Sequence, residues 1–317
     1  MIQQKPQAHS GTVLHRLTHQ DTLPGQLESF LLACRVDELA PATITYYRNG
    51  ISRLIGHLTD LGISRVEQVT ASDIRLFLAQ LQDRGNCPQS IHDYYRAVRR
   101  FFNWLVAEQL LAANPMGNLK PPKVPHKTIR PFTKEEIERL LLMCDLGRFV
   151  DIRNRALILL FLDTGLRLRE MADIQLADID LKREVIKVMG KGAKERVVRI
   201  STPTQRAVIA YLRQRTDDYP VLWVNEQRQP LTRDGIAQAI ASLGKRAGLD
   251  KVRCSPHTFR HTFATMALRC GAGELEVQSL LGHATLTMTR QYTATLKSEH
   301  AVEGHKRWSP VDNLKLR

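Results

Sequence analysis

The sequence is short of several things, and each shortage excludes a class. None of its 317 residues falls in a run approaching the roughly 18 consecutive apolar side chains of a membrane span. Residues 1–11 are polar and hold no apolar leader core, so export is not expected. Only five cysteines occur, at positions 34, 87, 144, 254 and 270, and none forms a CxxC pair. That points away from a disulfide framework or zinc knuckle and toward reduced thiols in the cytoplasm. No GxxxxGK[ST] loop is present, so ATP use has no support, and no HExxH zinc motif is present. His257 and His261 stand four apart but lack that motif's glutamate and an obvious third ligand, so neither a metal nor another cofactor is expected. No internal repeat is visible.

Acidic residues are also scarce: 32 Asp and Glu against 46 Lys and Arg, a net charge of +14. The imbalance is uneven. Residues 1–113 carry 11 basic and 10 acidic side chains, 114–131 four basic and none acidic, and 132–317 carry 31 basic against 22 acidic. A surplus of this kind favours a polyanion as partner, with nucleic acid ahead of an anionic membrane. A solubilising surface has the same composition.

What remains is an ordinary globular chain, 43% hydrophobic and long enough for two domains. Residues 1–20 stand as an N-terminal extension. Residues 21–113 read as all helical. Apolar positions from Ile44 to Leu58 recur at helical spacing after Thr43, a second helix opens at Thr70 or Ser72, and a third spans about 89–111. The third carries Arg96, Arg99 and Arg100 beside Tyr94, Tyr95, Phe101, Phe102 and Trp104. Those arginines are either a solvated face or a grip on a phosphate backbone. Five prolines then interrupt residues 114–131, which makes an extended basic linker. A capping box, Thr133 with Glu136, opens a second domain over 132–300. Residues 184–200 read as a β-hairpin around Gly190-Lys191-Gly192. Helices are expected over about 151–163, from Leu166, and near 203–215, 232–247, 257–270, 274–282 and 285–294. Residues 301–317 form a tail. The fold class is mainly α with a small β-hairpin or sheet (α+β).

The motifs are modest singly. Thr164-Gly165-Leu166-Arg167 with Glu170 is a helix start bearing an arginine. Lys191 sits at a hairpin tip. In Pro256-His257-Thr258-Phe259-Arg260-His261, positions 257, 260 and 261 share one helix face. Leu281-Gly282-His283 is followed nine residues later by Tyr292. Each alone has a bland explanation as a turn, a cap or a packed side chain.

Together they form a specific set. DTGLRLRE (163–170), VMGKGAKERVVRI (188–200), SPHTFRHTFAT (255–265) and LLGHATLTMTRQYT (280–293) resemble the tyrosine recombinases, or phage integrase family, most of all its compact Xer-type and mobile-element members. The resemblance spans about residues 22–295. One departure concerns Arg169, which stands where the family usually has a small residue, so it is a second candidate beside Arg167 for the motif arginine.

The chemistry agrees with the resemblance. Cutting a phosphodiester without a metal needs a nucleophile, cations for the extra charge on the non-bridging oxygens, and a proton for the leaving 5′-oxygen. Tyr292 suits the nucleophile. Arg167 and Arg260 offer planar forks for phosphate oxygens, typically worth about 3 kcal/mol each in a transition state. Lys191 suits the general acid. His257 and His283 can donate to phosphate or handle the tyrosine proton, and the sequence leaves their division open. His261 and Glu170 read as supporting residues.

The resemblance implies a site-specific recombinase that forms a 3′-phosphotyrosyl link on double-stranded DNA without ATP. It implies a helical core-binding domain and a catalytic domain closing on the duplex as a C-shaped clamp. Homotetramers, or heterotetramers with a related recombinase, are implied too, in the cytoplasm on nucleoid DNA. Residues 294–308 are either a segment that packs onto a neighbouring protomer or a solvated tail. A type IB topoisomerase and a non-catalytic DNA-binding regulator are the alternatives.

Overall fold

Local chemistry fixes where the N-terminal helices begin. Thr22 accepts from the Gly25 N–H and starts α1 (Leu23–Val36). Thr70 and Asp73 close a reciprocal capping box at the head of α3 (Ala71–Asp83). Helices α2 (Pro41–Asp60) and α4 (Pro88–Ala107) both open on a proline, whose missing N–H costs nothing in a first turn. The expected start of α2 at Thr43 is therefore too late, because the fixed φ of Pro41 lets the helix begin behind Ala40.

The computed structural model describes residues 21–125, 129–145, 147–190 and 195–282. They contain eleven α-helices and one three-stranded sheet. The chain divides into two compact units, residues 1–127 and 128–317.

The described part of the first unit is helical. Phe30 is fully buried at its centre, with the rings of Tyr47, Phe101 and Trp104 at 5.4–5.6 Å. Helix α4 buries Ile91, Tyr95, Val98, Phe101, Phe102 and Leu105 on one face and exposes Arg96, Arg99 and Arg100 on the other. The Arg99 guanidinium donates to the Tyr95 hydroxyl at 2.7 Å. The proline-rich stretch is not wholly free of this unit, since Met116 and Leu119 are buried in its core.

The second unit opens with α5 (Lys134–Leu142), capped by the Thr133–Glu136 box. The very apolar α6 (Phe149–Thr164) buries Ala156, Leu157, Ile158, Leu160 and Phe161 and packs against α8 (Thr202–Leu212) and α10 (Pro256–Arg269). A short α7 (Leu168–Ala172) follows. Strands β1 (Ile179–Asp180), β2 (Val185–Met189) and β3 (Glu195–Arg199) pair antiparallel in chain order, with Ile186 opposite Val198. Ile186, Val188 and Val198 are buried, while Lys187 and Val197 face out. Helices α9 (Arg233–Arg246) and α11 (Glu274–Leu281) complete the described part.

Just before α5, Phe132 fastens this unit's first residues to α10. Its ring lies 4.8 Å from that of Phe259, and its N–H donates to Thr262 Oγ1 at 2.9 Å. The helix expected near 285–294, the N-terminal extension and the tail lie outside the described residues.

Candidate active site

The site is built at the C-terminal end of α11. The last carbonyls of a helix have no partner within it and carry its negative partial charge, so they attract donors and cations. Here three arginines from three elements take three successive carbonyls. Arg196 of β3 donates through Nε to Leu280 at 3.0 Å. Arg260 of α10 donates through Nη2 to Leu281 at 2.8 Å. Arg167, at the head of α7, donates through Nη2 to Gly282 at 3.0 Å. Gly282 ends the helix in the left-handed region (φ 61°).

Arg260 is almost fully buried, and its Nη1 donates to the Gly165 carbonyl at 2.8 Å. Gly165 ends α6 in the left-handed region at φ 60°, and a Cβ there would meet the Phe263 ring at 2.4 Å. The Thr-Gly turn thus has a double duty: it stops α6 and presents a carbonyl to Arg260 at close range.

Arg167 and Arg196 meet on one carboxylate. Glu170 accepts from the Arg167 backbone N–H and Nη1, both at 2.8 Å, and from Arg196 Nη1 and Nη2 at 2.9 and 2.8 Å. The Glu170 side chain is 4% exposed, that of Arg196 15% and that of Arg167 35%. Burial by itself would raise the Glu170 carboxyl, but the Arg196 hydrogen bonds and then the Arg167 backbone N–H hold it below the ordinary carboxylate range.

Of the two arginines the sequence left open, Arg167 faces this cluster. Arg169 points to solvent, where it pairs with Asp173, which Arg233 also reaches at 3.2 Å. His257 lies in the first turn of α10, exposed at its surface. Loss of hydration on its inner side and then the charge of Arg260 push its imidazole below the ordinary histidine range. His261 is buried, with Nδ1 3.1 Å from Thr265 Oγ1. Among the described residues no group of three or more His, Cys, Asp or Glu is gathered as metal ligands would be.

The structure thus brings Arg167 and Arg260 together, with His257 one helical turn from Arg260. Lys191, His283 and Tyr292 lie outside the described residues. The sequence reading passed over Arg196. A signal existed in the alternation of β3, because Arg196 shares the inward face with Val198 and Ile200, and an inward arginine needs a buried anion. No helix among the described residues is long and apolar enough to cross a membrane.

Comparisons with known proteins cover both units of the chain. The description "Phage integrase, N-terminal SAM-like domain" matches residues 27–109, and "Phage integrase family" matches 130–299. A tyrosine recombinase XerC of Anoxybacillus flavithermus is 33% identical over 274 residues, 84% of this chain and 89% of the relative. A tyrosine recombinase XerD of Bifidobacterium longum is 31% identical over 281 residues, 84% and 91% of the two chains. Two solved structures share the fold. The Tn1549 transposon integrase in complex with a circular intermediate DNA has a TM-score of 0.72 at 19% identity, over 91% of this chain and 100% of that one. A lambda integrase dimer bound to a core site has a TM-score of 0.71 at 17% identity, over 84% and 97%.

Proposed function

The chain belongs to the phage integrase family, the tyrosine recombinases, and from that premise we propose how it acts: as a site-specific recombinase that cuts and rejoins double-stranded DNA through Tyr292. The observation that carries this reading is the gathering of Arg167 and Arg260 at the end of α11, immediately ahead of the segment that bears His283 and Tyr292.

The tyrosine oxygen attacks the scissile phosphorus, the bond to the 5′-oxygen breaks, and a 3′-phosphotyrosyl link forms. The leaving 5′-oxygen takes its proton from Lys191, the general acid. In the second half, the 5′-hydroxyl of a partner strand attacks the same phosphorus and releases the tyrosine, which regains its proton. One phosphoester replaces another in each half, so neither ATP nor a redox step is needed. The extra negative charge on the non-bridging oxygens is met by Arg167 and Arg260. Both guanidiniums are already fixed by carbonyls and Glu170, so they need no reorganisation as the charge develops. His257, its imidazole pushed below the ordinary histidine range by loss of hydration and then by Arg260, serves as a hydrogen-bond donor to phosphate or as an acceptor for the tyrosine proton, with His283 as the other member of the pair.

Residues 21–113 act as the core-binding domain, 114–131 as the basic linker along the duplex, and 132–300 as the catalytic domain, with residues 1–20 and 301–317 outside them. Strand exchange joins two duplex sites, each bound by two protomers, so the working assembly is a homotetramer or a heterotetramer with a related recombinase. Its substrate is nucleoid DNA in the cytoplasm.

Covalent trapping tests the reading. Nicked duplexes tiled across the DNA flanking the gene are incubated with wild type and with Tyr292→Phe, then denatured in detergent. A slow, protease-sensitive band is expected with wild type only. Equal bands with both proteins, or a duplex bound by wild type in a salt-dependent way but never attached, would sink it.

A further inference from the structure

Glu170 poses an electrostatic problem. A buried carboxylate that hydrogen-bonds the side chain of Arg167 also cancels that side chain's charge. A neutral pair offers a phosphate little more than a dipole, whereas the transition state needs a cation. Arg196 resolves this. It grips the same carboxylate with both terminal nitrogens at 2.8–2.9 Å, and at 15% exposure it is the more enclosed of the two arginines. The three groups together carry one net positive charge, and the member most open to solvent is Arg167.

We propose that Arg196 is a positioning residue for strand cleavage: it neutralises Glu170 from behind, so that Glu170 can orient Arg167 while the charge of Arg167 stays available to the scissile phosphate. This rests on the reading of Arg167 as a phosphate ligand given above.

The geometry requires an arginine. Two terminal nitrogens match the two carboxylate oxygens, and Nε remains for the Leu280 carbonyl at 3.0 Å. A lysine ammonium is a point charge and cannot satisfy that fork while also bracing a carbonyl in another direction. The third bond matters because Leu280 lies two residues before Gly282, whose carbonyl Arg167 takes. The cluster is tight as well, since a Cβ on Gly282 would lie 3.2 Å from Arg196 Nη1. Arg196 thus ties β3, the strand that follows Lys191 in sequence, to Glu170 and to the last turn of α11, two residues short of the carbonyl that Arg167 takes.

A purely structural brace and a charge-compensating one predict different second-site behaviour. The test measures the rate of covalent attachment on a tiled duplex that wild type captures. Arg196→Met is expected to slow attachment at least 30-fold, and Glu170→Gln only several-fold, since glutamine still offers Arg167 an oxygen. The double variant is expected to be about tenfold faster than Arg196→Met alone, because the uncompensated carboxylate is gone. Arg196→Lys, which keeps the charge but loses the fork, should fall between wild type and Arg196→Met. It also serves as the single variant if Arg196→Met fails to fold.

The same set in a Tyr292→Phe background reads binding without chemistry. By fluorescence anisotropy on a labelled duplex, Arg196→Met should weaken affinity several-fold and Glu170→Gln should restore it. This arm decides the role of Arg196 even if wild type forms no covalent link, which is the outcome that would remove Tyr292 as nucleophile. A double variant no better than Arg196→Met in either arm, or an Arg196 variant equal to its parent in both, would overturn the proposal.

Discussion

At the scale of single residues, the site is a contest between desolvation and pairing. Glu170 is buried, yet its carboxyl is held below its ordinary value because two arginines and a backbone N–H favour the charged form. The sign of the linkage follows. The folded protein releases this proton more readily than the unfolded chain, so the contribution of Glu170 to stability is complete above the ordinary 4.5 and is lost as pH falls through the lower folded value. Urea unfolding of wild type should therefore show stability declining below about pH 4.5, and Glu170→Gln should flatten part of that decline. At pH 7 the substitution should cost about 3 kcal/mol, the low end for breaking a buried pair, because Arg196 keeps some access to water. Identical pH slopes for the two proteins would mean that Glu170 titrates alike in both states. The residue scale also shows the limit of motif reading. Arg167, His257 and Arg260 stand out by their types and spacing. Arg196 shows itself only through strand alternation, and the carbonyls of Leu280, Leu281 and Gly282 give no side-chain signal at all.

At the scale of elements, some start signals carried by side chains were legible, while the Thr22 cap of α1 was passed over. Thr70 with Asp73 and Thr133 with Glu136 set helix starts within a residue or two. Where the backbone alone decides, the sequence was mute. Ala40 caps α2 with no side-chain bond, and β1 has only two residues, too few to show a period. Gly165 is the element whose role only the structure explains. Many glycines end helices, but this one also sits against Phe263 and Leu281 and feeds Arg260. Gly165→Ala should cost about 2–4 kcal/mol, combining left-handed strain with overpacking. It should also slow covalent attachment more than tenfold, because Phe263 shares α10 with His257 and Arg260. Gly62 is the control. It has φ 74° and nothing within 4 Å of a Cβ, so Gly62→Ala should cost only about 1 kcal/mol and leave attachment unchanged. Thermal melts and attachment rates of the two variants side by side decide the matter. Equal losses at the two positions would show that backbone strain, and not the crowding around Gly165, sets the cost.

At the scale of the whole molecule, charge distribution does what no single motif can. The surplus of +14 lies almost entirely beyond residue 113, and residues 114–131 hold four basic side chains with no acidic one. Each lysine that meets a DNA phosphate releases condensed counterions, so it adds about 0.9 to the slope of log affinity against log salt. Each lysine that merely solvates the surface adds nothing. Lys120 and Lys123 are both exposed and no ion pair is found for either among the described residues, so replacing them disturbs no packing. If the proline-rich segment runs along the duplex, Lys120→Gln/Lys123→Gln should lower the magnitude of the salt slope by about 2 while the melting temperature stays put. Tyr292→Phe should leave the slope where it was, since it removes a nucleophile and no charge. Titrations of one labelled duplex at several salt concentrations separate these outcomes. A double variant with the wild-type slope would place the segment off the DNA and assign its lysines to solubility, and the duplex contacts would then have to come from the arginine face of α4 and from residues 132–317.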